Sequence, residues 1–203
     1  RDTVDINMTS ITLNALNLST DGILTDLVYV TDNGSIQNGI DIVSDGGTVN
    51  VGAGTYTEGV VIKPTQKADL TIAGEGRDTT NWVCPSEGNC LTVQIQGYTG
   101  KTIYDIYGFT FSERSNPTAK RGTGIKITHA ESGPLYLSIH DNKFIEDRAS
   151  GDSTHWATSM WLCHNRFASR DVLGNAPVNI YNNIDETWGG MTMSNSQAYD
   201  IYD

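Results

Sequence analysis

The sequence predicts an all-β protein wound as a coil of parallel strands, with a short helix near its start and a strand-like segment ahead of that helix. Three observations carry the prediction. Short β-rich runs recur, among them "TVNV", "GVVI", "DLTIAG", "LTVQIQ", "IYDIYGFTF", "GIKIT", "LYLSIHDNKF", "SMWLCHNRF" and "VNIYNNI", and turn-rich stretches such as "SERSNPTAKRGTG" and "EDRASGDST" separate them. Within the later runs, Ile139, Leu162 and Ile180 are each followed three residues on by Asn142, Asn165 and Asn183, and Phe144 and Phe167 then follow two of the three; Ile106 and Phe111 keep the spacing without the Asn. Tight Asn-Gly or Asp-Gly hairpins, which an antiparallel sandwich would require, do not separate the runs: Asn33-Gly34 precedes them and Asp45-Gly46 lies between helix and strand.

A coiled parallel sheet accounts for the shared spacing because each turn lays one strand about 4.8 Å above the last, so equivalent residues stack in columns. Apolar side chains then fill the interior, and an Asn at a bend can bond to the Asn of the next turn and to bent backbone. On this basis Asn142, Asn165 and Asn183 are expected to form an internal ladder, against the simpler reading that Asn is common in turns.

In chain order, residues 1–34 show strand periodicity with phase slips: Val4, Ile6 and Met8, then Ile11 and Leu13, then Leu16 and Leu18. They are expected to form an N-terminal extension separate from a coil domain over residues 35–203. The stretch "SIQNGIDIVSDGG" predicts a helix at about 35–44: Ser35 is a fair N-cap, Ile36, Ile40 and Val43 share a face, and Gly46 and Gly47 end it. Gly39 within it weakens a helix by about 1 kcal/mol relative to Ala. In "GGTVNVGAGTYTEGVVI", Val49 and Val51, then Val60 and Ile62, are expected to lie on two strands joined by a bend from Gly52 to Gly59. The end of the chain, "MTMSNSQAYDIYD", keeps strand-like alternation without a capping helix.

Composition narrows the function. With 13 basic residues against 24 acidic ones and a net charge of -11, the chain is poorly suited to nucleic acid, whose phosphates require Lys and Arg. No apolar run approaches the roughly 20 residues of a membrane helix. The opening "RDTVDINMTS", without Met, fits a processed or trimmed chain. Cys84 and Cys90 bracket the turn-forming "PSEGN", which predicts a local disulfide with Cys163 left as a thiol; the alternative is free thiols in a reducing compartment. There is no CxxC, His164 beside Cys163 is a lone neighbour, and no metal site or cofactor is expected. Asn7, Asn17 and Asn33 head Asn-x-Ser/Thr sequons, which makes them glycosylation candidates.

The stretch "IQNGIDIVSDGGTVNVGAGTYTEGVVI", with "LTIAGEGRDTT" and "GFTF", resembles the opening of right-handed parallel β-helix proteins of the pectin-lyase-like superfamily. It is similar to the first turns of pectin methylesterases and to β-helix modules of archaeal and bacterial cell-surface proteins. The resemblance implies a single-stranded right-handed parallel β-helix whose N-terminal end is capped by the helix containing Ile36 and Ile40. It implies little about activity, since that fold carries esterases, lyases, hydrolases, adhesins and fibres.

The chemistry departs from the family's enzymes. The Gly-Tyr-Gln-Asp and Asp-Phe-Ile-Phe-Gly motifs of the esterases are missing, as are the Asn-Thr-Asp and Gly-His-Gly motifs of the hydrolases; after "GFTF" the chain reads "SERSNPTAKRGTGIKITHAESG". A lyase would need clustered carboxylates and a basic proton abstractor. His140 and Asp141, with His164 one turn later and Arg114, Lys120 and Arg121 nearby, are the candidates for that role, against the simpler reading of a surface ion pair. "TIAGEGRD" lacks the Lys-Ser/Thr of a phosphate loop, and Trp82, Trp156, Trp161 and Trp188 are expected to be half-buried rather than a sugar platform.

The expected function is that of a non-catalytic, secreted or cell-surface structural β-helix. Its partner would be another copy of itself, joined head-to-tail through the leading strand containing Val4, Ile6, Ile11 and Leu13. The alternatives are a carbohydrate-active enzyme or fragment of one, and a carbohydrate-binding or adhesive module facing surface polysaccharide.

Overall fold

The structure, a computed structural model, describes residues 3–6, 25–85, 88–95, 98–114, 123–128, 134–147, 158–163, 178–187, 190–194 and 200–202. The chain enters through β1 (Thr3–Ile6), β2 (Thr25–Val30) and a helix α1 (Ile36–Ile42). It then winds through turns that each give one strand to each of three sheets. The first turn is β3 (Val43–Val51), β4 (Gly54–Thr57) and β5 (Val60–Ile62); the second is β6 (Asp69–Gly74), β7 (Thr80–Val83) and β8 (Asn89–Gln94). The third is β9 (Thr102–Tyr107), β10 (Thr110–Arg114) and β11 (Thr123–Thr128); the fourth is β12 (Leu135–His140), β13 (Lys143–Asp147) and β14 (Thr158–Cys163). The fifth is β15 (Val178–Tyr181), β16 (Ile184–Glu186) and β17 (Met191–Ser194), and β18 (Asp200–Tyr202) opens another.

One sheet has eight strands in the order β1-β2-β3-β6-β9-β12-β15-β18; the others have five each, β16-β13-β10-β7-β4 and β17-β14-β11-β8-β5. Neighbouring strands in each sheet pair in parallel. This is the architecture of a parallel β-helix.

Register makes the interior a set of like-on-like columns. In the eight-stranded sheet Val28, Val49, Ile72, Ile106, Ile139 and Ile180 stand in one row, all buried. In the second sheet the row is Tyr56, Trp82, Phe111 and Phe144, with Phe111 and Phe144 stacked at 5.0 Å between ring centroids. The third sheet supplies Leu91, Ile125 and Met160 beside Val93, Ile127 and Leu162. A buried side chain of this size stabilises the fold by roughly 1.5–3 kcal/mol, so the columns dominate the energetics.

The stretch from 46 to 62 is indeed one turn of the coil, and what looked like its bend contains a strand of its own. β4 carries a single buried side chain, Tyr56, whose hydroxyl donates to the Gly52 carbonyl at 3.0 Å. One buried residue in four gives no visible alternation.

The segment ahead of the helix is tied into the same sheet: β2 is an interior strand of the eight-stranded sheet, and its Val28 and Val30 belong to the same core as Val49 and Val51. The leading strand is also engaged within its own chain, with Val4 opposite Val28 and Ile6 opposite Val30; Ile11 and Leu13 lie outside the described residues.

The helix α1 packs on β2, β3 and β5, taking the place that strands of the other two sheets occupy in later turns. Its N-terminus is held by Ser35, whose Oγ accepts from Asn38 N–H, and by Glu58, whose carboxylate accepts from the N–H groups of Ile36 (2.6 Å) and Gln37 (3.2 Å). At the other end the ammonium of Lys67 donates to the Val43 carbonyl. A carboxylate at the start and a cation at the end both suit the helix dipole.

Gly39 is the contact point. A Cβ there would lie 2.6 Å from Val30 Cγ2 and 3.1 Å from Val49 Cγ1. The residue that weakens the helix locally is what lets it lie close against the sheet. Gly39→Ala is therefore expected to destabilise the protein by about 1–3 kcal/mol through overpacking, despite a helix-propensity gain of about 1 kcal/mol. Urea denaturation decides this: an unchanged or raised midpoint would mean that α1 does not seat tightly on β2 and β3.

Candidate functional site

The candidate site lies where strands of the eight-stranded sheet turn into the second sheet. Ile106, Ile139 and Ile180 are in register, so the residues after them stack as well: Tyr107, His140 and Tyr181, then Gly108, Asp141 and Asn182, then Phe109, Asn142 and Asn183. The second column takes left-handed backbone, with φ of 81° at Gly108, 54° at Asp141 and 51° at Asn182. Asp and Asn tolerate that conformation better than other side-chain-bearing residues, whereas Gly108 has no alternative: a Cβ there would lie 2.3 Å from the Gly74 carbonyl oxygen.

His140 is clamped on four sides. Its ring is 4.7 Å from both Tyr107 and Tyr181 and nearly parallel to each, at 14° and 4°. Its Nδ1 is 2.7 Å from Asp141 Oδ2 and its Nε2 is 3.1 Å from Asp105 Oδ1. The Asn182 amide donates to Asp141 Oδ1, and Arg77 Nη1 donates to the Asn182 carbonyl at 2.8 Å. Hydrogen bonding from His140 holds the Asp141 carboxyl below the ordinary carboxylate range, helped by the Asn182 amide and the charges of His140 and Arg77 and opposed by burial.

A general base needs a ring nitrogen free to meet the substrate's proton. Both nitrogens of His140 already face carboxylates of its own chain. The arrangement ties the third, fourth and fifth turns together on their outer face. Among the described residues no group of three or more His, Cys, Asp or Glu is arranged to hold a metal ion.

Asn142 is fully buried, and it bridges turns through backbone groups. Its Nδ2 donates to the Ile106 carbonyl (3.0 Å) and its Oδ1 accepts from Phe109 N–H (3.1 Å). Asn183 repeats the motif one turn on, donating to the Ile139 carbonyl (2.8 Å) and accepting from Asn142 N–H (3.0 Å). The third run of the repeat is placed differently. Leu162 pairs with Ile127 and Met193 in another sheet, so β14 does not lead into the same bend as β12 and β15. Asn165 and His164, which follow β14, lie outside the described residues. Placing His164 one turn after His140 and Asp141 assumed that all three runs share one sheet, and they do not.

Cys84 and Cys90 are bonded to each other, with Cα atoms 4.3 Å apart, across the bend from β7 to β8. This bond is the chemistry of an oxidising compartment. Among the described residues no helix is long and apolar enough to cross a membrane. Asn33 is exposed on a turn closed by Gly34 N–H to the Thr31 carbonyl (2.8 Å), while Ser35 of its sequon is occupied as the N-cap of α1. Asn7 and Asn17 lie outside the described residues. Trp82 is wholly buried, its Nε1 donating to the Glu58 carbonyl at 3.0 Å, and Trp161 lies under Lys126 on the outer face of the third sheet.

The residues missed in the sequence are Asp105, Tyr107, Tyr181, Asn182 and Arg77. Aligning the residue after each of Ile106, Ile139 and Ile180 would have found the Tyr-His-Tyr column. Asp105 and Arg77 carry no such signal.

A second feature is a groove of about 450 Å³ along the second sheet, floored by the outward row Thr55, Asn81, Thr110 and Lys143 and bordered by Arg77. Comparison with known protein families, characterised proteins and solved structures finds no significant match to this chain.

Two outcomes are expected. Asn142→Leu strands the Phe109 N–H and the Ile106 carbonyl in the interior, which costs about 1–3 kcal/mol for each group left unpaired; a melting curve unchanged by the substitution would contradict the bridging role. Asp141 has a depressed pKa, so its contribution is complete above its unfolded value of about 4 and is lost as pH falls through the folded value. Asp141→Asn, which still accepts left-handed backbone, should flatten the loss of stability on acidification. Parallel denaturation series from neutral to acid pH would show this, and identical slopes would remove Asp141 from the account.

Proposed function

We propose that the chain is a non-catalytic structural β-helix, secreted or displayed at a cell surface, that associates with further copies of itself head-to-tail. The observation that carries the proposal is the uniformity of the eight-stranded sheet. Its register row reads Val4, Val28, Val49, Ile72, Ile106, Ile139, Ile180, Ile201 from β1 to β18, all in parallel. A strand edge that presents the same row at both ends accepts another parallel strand of the same pattern at either one. Such a contact is heterologous, so it propagates into a filament unless its rotation closes a ring. The partner strand is then β1 in its place beside β2, offering its outer edge to β18 of the next copy. The oxidising setting of Cys84 and Cys90 and the spent nitrogens of His140 support the extracellular and non-catalytic halves.

A second reading, a polysaccharide-binding module, is favoured by the polar groove along Thr55, Asn81, Thr110 and Lys143. Hydroxyl, amide and ammonium groups at strand spacing suit an extended chain of hydroxyls.

Electron microscopy and light scattering over a concentration series test the first reading. The full chain should lengthen into fibres or rings, and Ile201→Asp or deletion of residues 1–20 should abolish them. A chain that stays monomeric at millimolar concentration, or fibres that survive both changes, would overturn it. Saturable binding of a neutral polysaccharide, weakened by Asn81→Ala, would move the assignment to the second.

A further inference from the structure

Lys67 sits on the tight turn between β5 and β6, where the N–H groups of Gln66 and Lys67 both donate to the Lys63 carbonyl. The residue is 7% exposed, and its Nζ donates to the Val43 carbonyl at the end of α1. Nζ has no further hydrogen-bond partner among the described residues. Lys67 also lines a pocket of about 210 Å³ with Ile40, Asp41, Val61, Ile62, Lys63 and Gln66, and more of its lining is polar than apolar.

An ammonium has three donors, and burying it with one acceptor among the described residues is costly. Releasing the proton relieves that cost. Burial does lower the basicity of Lys67, against the opposing pull of Asp45 and Asp41. The neutral amine can still donate to Val43 while its lone pair is free, and a desolvated lysine amine is a nucleophile towards carbonyl carbon.

We propose that Lys67 is a covalent attachment site for small aldehydes. The Nζ lone pair forms a bond to the aldehyde carbon, and a proton moves from nitrogen to the former carbonyl oxygen. Loss of the second nitrogen proton with that oxygen, as water, leaves a C=N bond. Taking up one proton from solvent gives the iminium, which again donates to the Val43 carbonyl, with Asp41 and Asp45 near enough to balance its charge. The pocket, lined by Ile40, Val61 and Ile62 together with Asp41, Lys63 and Gln66, has room for the short chain. Nothing in this chemistry depends on the assembly proposed above.

The test treats the full chain with propanal and cyanoborohydride at neutral pH and maps the reduced alkyl group by mass spectrometry. Lys67 should be modified faster than the exposed Lys63 and Lys101. Lys67→Arg, which retains a donor for Val43, should show only the slower surface modification. If Lys67 stays unmodified, or reacts no faster than Lys63 and Lys101, the proposal is wrong and the amine serves only as the cation closing α1.

Discussion

The structure depends on the parallel register, which sets each turn about 4.8 Å above the last. At that spacing every side chain has its homologue as its nearest neighbour, so each position is selected by the column it joins. Val and Ile stack on Val and Ile in the eight-stranded sheet, and Trp82, Phe111 and Phe144 form a continuous aromatic stack. At the bends the same rule turns polar. Asn142 holds the backbone of the preceding turn through Ile106 and Phe109, and Asn183 holds the next through Ile139 and Asn142. A substitution in one turn is therefore felt by the two turns that flank it.

The two ends of the described coil are built differently. At the start, α1 substitutes for two strands, and its termini are held by side chains from the turn it covers, Glu58 at one end and Lys67 at the other. Cap and first turn are thus mutually dependent: Glu58 and Lys67 need the helix ends as partners, and the helix needs Gly39 to reach Val30 and Val49. In the fifth turn the aromatic column gives way to Asp185, an exposed residue opposite Phe144 that accepts from Ser159 Oγ at 2.6 Å. That exchange of a stacked ring for a solvated carboxylate breaks the aromatic column of the second sheet at the fifth turn.

What could be read from the sequence follows from the same geometry. The coil was legible because columns impose repeated spacing, and the helix because Ser35, Ile36 and Ile40 carry local signals. β4 was hidden because its one buried residue, Tyr56, produces no alternation. The run containing Leu162 was misaligned because its pattern of spacing also occurs at β14, in another sheet, where the periodicity of a single run cannot distinguish corners. Gly39 read as a weakness because its value lies in a contact with Val30, distant in the sequence. The partners of His140 were only half legible: Asp141 is adjacent, whereas Asp105 becomes a neighbour only when β9 and β12 are placed in register.

Columns also change how a cluster of titratable groups should be judged. A coil that stacks its turns brings acids and bases together on its outer face as a matter of course, so proximity alone says little about catalysis. The informative quantity is whether a group has donor or acceptor capacity left to offer a ligand. His140 has both ring nitrogens committed to Asp105 and Asp141 and both faces covered by Tyr107 and Tyr181. By the same criterion Lys67 is different in kind, since among the described residues it is buried with one acceptor for an ammonium that can satisfy three, beside a pocket large enough for a small molecule. The cluster that looks most like an active site is internally satisfied, and the group with unspent capacity is a lysine serving as a helix cap.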